Sequence, residues 1–81
     1  MHFVYILYSL THNRMYIGMS QDVSKRLLQH NAGKTRSTKA YAPWRLIHTE
    51  EFETREEARS REVYLKSGFG RTWIKEKILS K

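Results

Sequence analysis

The chain contains no cysteine, so neither disulfides nor thiolate zinc sites can staple its fold. Long apolar runs are also missing. None approaches the roughly 20 residues of a membrane-spanning helix, and the N-terminus lacks a signal-peptide pattern. No internal repeat or low-complexity segment appears. These absences lead us to expect a soluble, cytoplasmic protein. Acidic residues are scarce: eight Asp and Glu stand against fifteen Lys and Arg, for a formal net charge of +7. Eighty-one residues, 40% of them hydrophobic, suffice for one domain (1–81) with a modest core. So much positive charge on a small body favours a polyanionic partner. No helix is both strongly basic on one face and broadly apolar on the other, so a membrane is the weaker choice and a nucleic acid is expected.

What is present begins with two runs rich in apolar, β-branched and aromatic residues, Phe3 to Tyr8 and Met15 to Gly18. Polar Thr11-His12-Asn13-Arg14 separates them, the pattern of a β-hairpin turning at Leu10–Asn13. Two registers, Tyr5 opposite Tyr16 or Tyr5 opposite Gly18, put both phenols on one face, because strand side chains alternate with period two.

Ser20 or Asp22 can cap a helix over about 23–32, with Gly33 as its stop. At 100° per residue, Val23, Leu27 and His30 share an arc of about 60°, with Arg26 at its edge. Leu28 points elsewhere, toward a second cluster. Residues 33–42 form a polar loop carrying Lys34, Arg36, Lys39 and Tyr41, closed by Pro43. The loop reads either as a solvated linker or as a phosphate-tracking segment with Tyr41 able to stack on a base. Trp44 to Phe52 alternates as a third strand. Thr54-Arg-Glu-Glu57 is a capping box for a helix over Arg55–Lys66. On its wheel Ala58, Glu62 and Leu65 lie within about 60°, which aims a carboxylate along the apolar stripe. Such a carboxylate is costly unless it is paired or metal-bound. Gly68 and Gly70 are expected to break the helix, and Thr72 to start a short last one whose Trp73, Ile74 and Ile78 dock on the core. The predicted class is α/β (α+β), a three-stranded, mostly antiparallel sheet flanked by helices in the order β-β-α-β-α-α.

The ordered set Tyr5, Tyr16, Gly18, Arg26, His30, Glu62 and Lys66 resembles the GIY-YIG nuclease family, which includes a nuclease domain of the bacterial excinuclease. Phe3-Val4 stands where the family has Gly-Ile, while Tyr5 and the whole of Tyr16-Ile17-Gly18 match. The resemblance covers essentially the whole chain and points to the family's small stand-alone branch. It implies a metal-dependent endonuclease with Glu62 as ligand to Mg²⁺ or Mn²⁺, Arg26 gripping the scissile phosphate, and Tyr16 as general base. Tyr5 would assist by hydrogen bonding, His30 or Lys66 would orient water or phosphate, and Gly18 would allow close backbone approach.

The chemistry agrees with that set. Phosphodiester hydrolysis needs an activated water, charge stabilisation in the transition state and help for the leaving oxygen. Mg²⁺ takes only one or two protein carboxylates, and an arginine fork cannot lose its charge. An ordinary phenol is a weak base at neutral pH, so neighbouring cations would have to stabilise a phenolate. Plainer readings compete: strand tyrosines pack, a histidine on an apolar arc is usually a satisfied core residue, and Glu62 with Lys66 forms an i,i+4 pair. His2, His12 and His48 show no ligand spacing with His30, which rejects a histidine metal site.

The expected substrate is DNA, recognised by structure rather than sequence, in repair or processing. Arg26, Lys34, Arg36, Lys39, Tyr41 and Lys66 are the expected nucleic-acid contacts. No separate DNA-binding domain is present, so weak affinity, or help from a protein partner or a second copy, is expected. A catalytically weak or inactive nucleic-acid-binding module is the alternative, and RNA-directed activity is a third. The five residues Tyr5, Tyr16, Arg26, His30 and Glu62 should converge on one concave face, with Glu62 lining a cleft.

Overall fold

The computed structural model describes residues 1–80; Lys81, the last residue of the expected domain, lies outside the described residues. Strand β1 (His2–Ser9) is the centre of a three-stranded sheet ordered β2-β1-β3, with β2 spanning Met15–Ser20 and β3 spanning Trp44–Phe52. Both pairings are antiparallel. The apolar character of β1 explains its place. Val4 and Ile6 point to one face, Tyr5 and Leu7 to the other, and all four are buried, so both faces need cover.

Helix α1 (Val23–Asn31) covers the Tyr5 face, where Val23 and Leu27 pack with Leu7, Trp44, Tyr16 and Tyr41. Helices α2 (Arg55–Lys66) and α3 (Gly68–Ile74) cover the other face. There Ala58, Leu65 and Ile74 pack on Val4, Ile6 and Ile17, with Trp73 and Ile78 at the margin. A π-helical turn, Lys75–Leu79, follows. No helix among the described residues is long and apolar enough to cross a membrane.

Local chemistry sets most boundaries. The Asp22 carboxylate accepts from the Lys25 amide at 3.0 Å and caps α1. At its other end the Gly33 and Lys34 amides bond back to the carbonyls of His30 and Gln29, closing the helix with a Schellman pair. Thr54 and Glu57 form the expected reciprocal box at the start of α2.

Three expectations need correction. Leu28 covers no second cluster; it is 71% exposed. The last helix begins at Gly68 and not at Thr72, because Ser67 supplies a cap to the Gly70 amide. Gly70 sits inside α3, where a Cβ would collide with the Tyr64 carbonyl oxygen and the Leu65 Cα. The glycine thus seats one helix on the end of another. The β1–β3 ladder also carries a bulge. Ile6 faces His48 while Leu7 faces Leu46, so Ile47 is extra and packs with the α2-side core. The bulge puts Leu46 and Trp44 on the Tyr5 face and His48 and Glu50 on the other.

Candidate active site

Of the two hairpin registers open to the sequence, the fold takes the one that sets Tyr5 opposite Gly18 and Leu7 opposite Tyr16. Tyr5 and Tyr16 therefore share the α1 face, with ring centroids 6.2 Å apart. The Tyr5 ring lies across Gly18. A Cβ there would meet the Tyr5 hydroxyl at 2.6 Å and Cζ at 2.7 Å. The space that Gly18 leaves open, in the middle of β2, is thus filled by a phenol of this chain.

Helix α1 brings His30 over both rings, 4.8 Å from Tyr16 and 6.0 Å from Tyr5 between centroids. His30 Nε2 is 3.0 Å from the Tyr5 hydroxyl, and Nδ1 is 2.8 Å from Thr38 Oγ1. Tyr5, His30 and Thr38 are all buried, whereas Tyr16 is half-buried. Burial pushes the His30 pKa down, and the nearby Arg26 charge pushes the same way, so the imidazole is held neutral. Burial raises the Tyr5 pKa. Arg26 beside the phenol opposes that rise, and Tyr16 and Glu62 add to it. Arg26 is half-buried, and its Nη1 donates to the Gln29 side-chain oxygen at 2.6 Å.

Glu62 arrives differently. It comes from α2, the helix on the opposite face of the sheet, and is 7% exposed between Ala58 and Leu65. One carboxylate oxygen accepts from Arg59 at 3.2 Å and the other pairs with Lys66 at 3.3 Å. The Glu62 carboxylate is nonetheless close enough to the Tyr5 phenol for its charge to act on it. Tyr5, Tyr16, Arg26 and His30 gather at α1, and Glu62 is contributed by α2 beneath two cationic partners. Cavities of about 410 and 380 Å³ open elsewhere, beside His2 and Met19 and beside Arg45 and Ile78.

The donor set bears on a metal ion. Among the described residues no three His, Cys, Asp or Glu side chains cluster to hold one. Glu62 is a single hard oxygen donor, which suits an ion that keeps most of its ligands as water, as Mg²⁺ does. Its two partners have side chains 69% and 51% exposed, so both can swing into solvent and free the carboxylate. The residues fit a divalent ion on those terms.

The expected nucleic-acid contacts divide. Lys34, Arg36 and Lys39 lie along the segment between α1 and β3, and all three are exposed. Tyr41 is half-buried. The Arg14 guanidinium stands 4.5 Å over its ring and His12 meets it edge-on, so one stacking face is already taken. Lys66 lies on Glu62.

Four contributors escaped the sequence reading. Thr38 holds His30. The Trp44 indole donates to the Thr38 carbonyl at 2.9 Å. The Asn31 side chain exchanges two hydrogen bonds with the Trp44 backbone, at 2.6 and 3.0 Å. Arg59 is the second partner of Glu62. Thr38 sits in a polar loop without periodicity, where no local signal marks it; Arg59 could have been found as an i,i+3 neighbour of Glu62.

A three-stranded antiparallel sheet with two phenols, an imidazole and a guanidinium under one helix, and a carboxylate from another, has the layout of a small phosphodiesterase domain. Residues 1–76 match the GIY-YIG catalytic domain, and the chain belongs to that family. The family implies an endonuclease, a hydrolase acting on nucleic acid that generally uses a divalent metal ion. Similar proteins include the UPF0213 protein of Haloquadratum walsbyi, 40% identical over 67 residues, covering 82% of this chain and 74% of the relative. That of Listeria welshimeri is 42% identical over 66 residues, covering 80% and 72%. The solution NMR structure of the UPF0213 protein from Bacillus halodurans aligns with a TM-score of 0.56 at 32% identity, covering 93% of this chain and 82% of that one.

Proposed function

We propose that this protein is a Mg²⁺- or Mn²⁺-dependent endonuclease that hydrolyses DNA phosphodiester bonds, selecting its substrate by structure rather than sequence, in DNA repair or processing. The observation that carries the reading is the wiring of Tyr5 to His30 beside Arg26 and under Tyr16. A merely packed pair of strand tyrosines has no need of a buried imidazole or of an arginine at the same point.

In this reading Arg26 holds the scissile phosphate and stabilises the charge that grows on it, since its fork stays protonated throughout. Tyr16, the more accessible phenol, takes the proton from the attacking water. Tyr5, sealed behind it, holds Arg26 and His30 in place. Neutral His30 adds no repulsion against Arg26. Glu62, once released by Arg59 and Lys66, holds the divalent ion, which supplies further positive charge and a more acidic water when bound. Lys34, Arg36 and Lys39 track the backbone of the strand, and Lys66, freed from Glu62, joins them.

A second reading, a nucleic-acid-binding module with weak or no catalysis, is favoured by one observation: both oxygens of Glu62 are already occupied by cations. The experiment that separates the two is a panel of nicked, flapped, branched, single-stranded and duplex DNAs, with and without Mg²⁺ or Mn²⁺. Metal-dependent cleavage of at least one structure is expected. Binding without cleavage across the panel would establish the module instead, and the same panel in RNA tests the DNA assignment.

A further inference from the structure

Thr38 is buried in a segment that is otherwise largely polar and open to solvent. Its carbonyl is pinned by the Trp44 indole, and its hydroxyl touches two partners, His30 Nδ1 at 2.8 Å and the Thr35 carbonyl at 3.3 Å. The direction of every bond follows from the donor inventory. The Thr38 hydroxyl has one proton and gives it to the Thr35 carbonyl, so toward His30 Nδ1 it can only accept. A neutral imidazole carries one N–H, which is then on Nδ1 and is given to Thr38 Oγ1. Nε2 is then the acceptor, and the Tyr5 hydroxyl donates to it. With the other tautomer, Nδ1 would be a buried acceptor facing an oxygen whose only proton is committed to the Thr35 carbonyl.

We propose that Thr38 is a positioning residue of this site: its hydroxyl selects the Nδ1–H tautomer of His30 and thereby fixes the Tyr5 hydroxyl as donor to Nε2. Thr38 touches no substrate in this scheme. It sits between Arg36 and Lys39, so the segment that tracks the strand also locks the residues beneath the phosphate. The consequence for catalysis rests on the nuclease reading above; the tautomer does not.

The test uses the full chain in three forms: wild type, Thr38→Val, which keeps the shape and removes the hydroxyl, and Thr38→Ser, which restores it. Nitrogen-15 NMR of the histidine rings at neutral pH reads the tautomer directly. We expect Nδ1–H at His30 in wild type and in the serine variant, and Nε2–H in the valine variant. On a cleaved DNA, Thr38→Val should lower kcat about tenfold or more while KM stays within about twofold, and Thr38→Ser should recover most of the loss. Nε2–H in wild type, or a valine variant that keeps both Nδ1–H and full kcat, would overturn the proposal. Should wild type cut none of the DNA panel, the nuclease reading fails while the tautomer still decides the role of Thr38. Should the valine variant not fold, the wild-type spectrum and the serine variant remain decisive.

Discussion

The phenol of Tyr5 rests on the bare Cα of Gly18 across the β1–β2 ladder, and that close approach places its hydroxyl 3.0 Å from His30 Nε2. A strand glycine normally weakens a sheet. Here it makes room for a ring that ties the sheet to α1.

Gly18→Ala should therefore disturb more than the strand. The added methyl would sit 2.6 Å from the Tyr5 hydroxyl and 3.0 Å from the Tyr16 ring, so both phenols must move. Overpacking of this kind costs about 1–3 kcal/mol. Urea melts should show that loss, and the His30 ring signals should shift because its bond to Tyr5 is broken. A variant as stable as wild type with unchanged His30 signals would contradict the placement.

Acid should weaken the fold through His30. Its pKa lies below the ordinary histidine value of about 6.5 because it is buried, so between the two values the unfolded chain binds more protons than the folded one. The stability from keeping His30 neutral is then complete above about pH 6.5 and lost as pH falls through the folded value. Unfolding free energies between about pH 7.5 and 5 should fall more steeply for wild type than for His30→Gln. Parallel profiles would remove His30 as the cause.

Glu62→Gln separates enzyme from binder. It preserves shape and removes the charge that a hard divalent ion needs. Metal-dependent cleavage should fall by orders of magnitude, while DNA binding holds or tightens on a more positive surface. Stability should change little, since helix pairs such as Arg59–Glu62 and Lys66–Glu62 stabilise by about 0.2–0.5 kcal/mol each. Tyr16→Phe should also abolish most cleavage and leave binding intact. Cleavage that survives Glu62→Gln would place the metal ligand elsewhere.

The basic segment after α1 carries its own prediction. Duplex affinity should fall steeply with salt, with a log–log slope of about −0.9 per phosphate neutralised. Reversing the charges of Lys34, Arg36 and Lys39 together should weaken binding to all sequences alike and flatten that slope. None of the three is buried, so the melting temperature should hold. Normal binding by the triple variant would dismiss the segment as a contact.

The sequence by itself determined the elements and their faces, because those follow from short-range rules. Period two put Tyr5 and Tyr16 on one side of the hairpin. Ser20 or Asp22, of which the fold uses Asp22, and the Thr54–Glu57 box marked where α1 and α2 begin, and the 3.6-residue repeat turned Glu62 inward beside Ala58 and Leu65. What the tertiary structure alone decided are relations between distant segments that no local pattern encodes. Both hairpin registers satisfied the alternation, and the fit of the Tyr5 ring over Gly18 goes with one of them. The bulge at Ile47 follows no propensity in β3; it is how one strand serves two differently packed faces. Thr38 became part of the site only because Trp44 and Asn31 draw the loop back over α1, eight residues beyond the histidine it holds. Glu62 could be read as inward-facing, but not as coming from a helix on the opposite face from α1 with both oxygens taken. That outcome depends on which face α2 packs against and on how far Arg59 and Lys66 can reach, and packing settles both only once the whole chain has closed on itself.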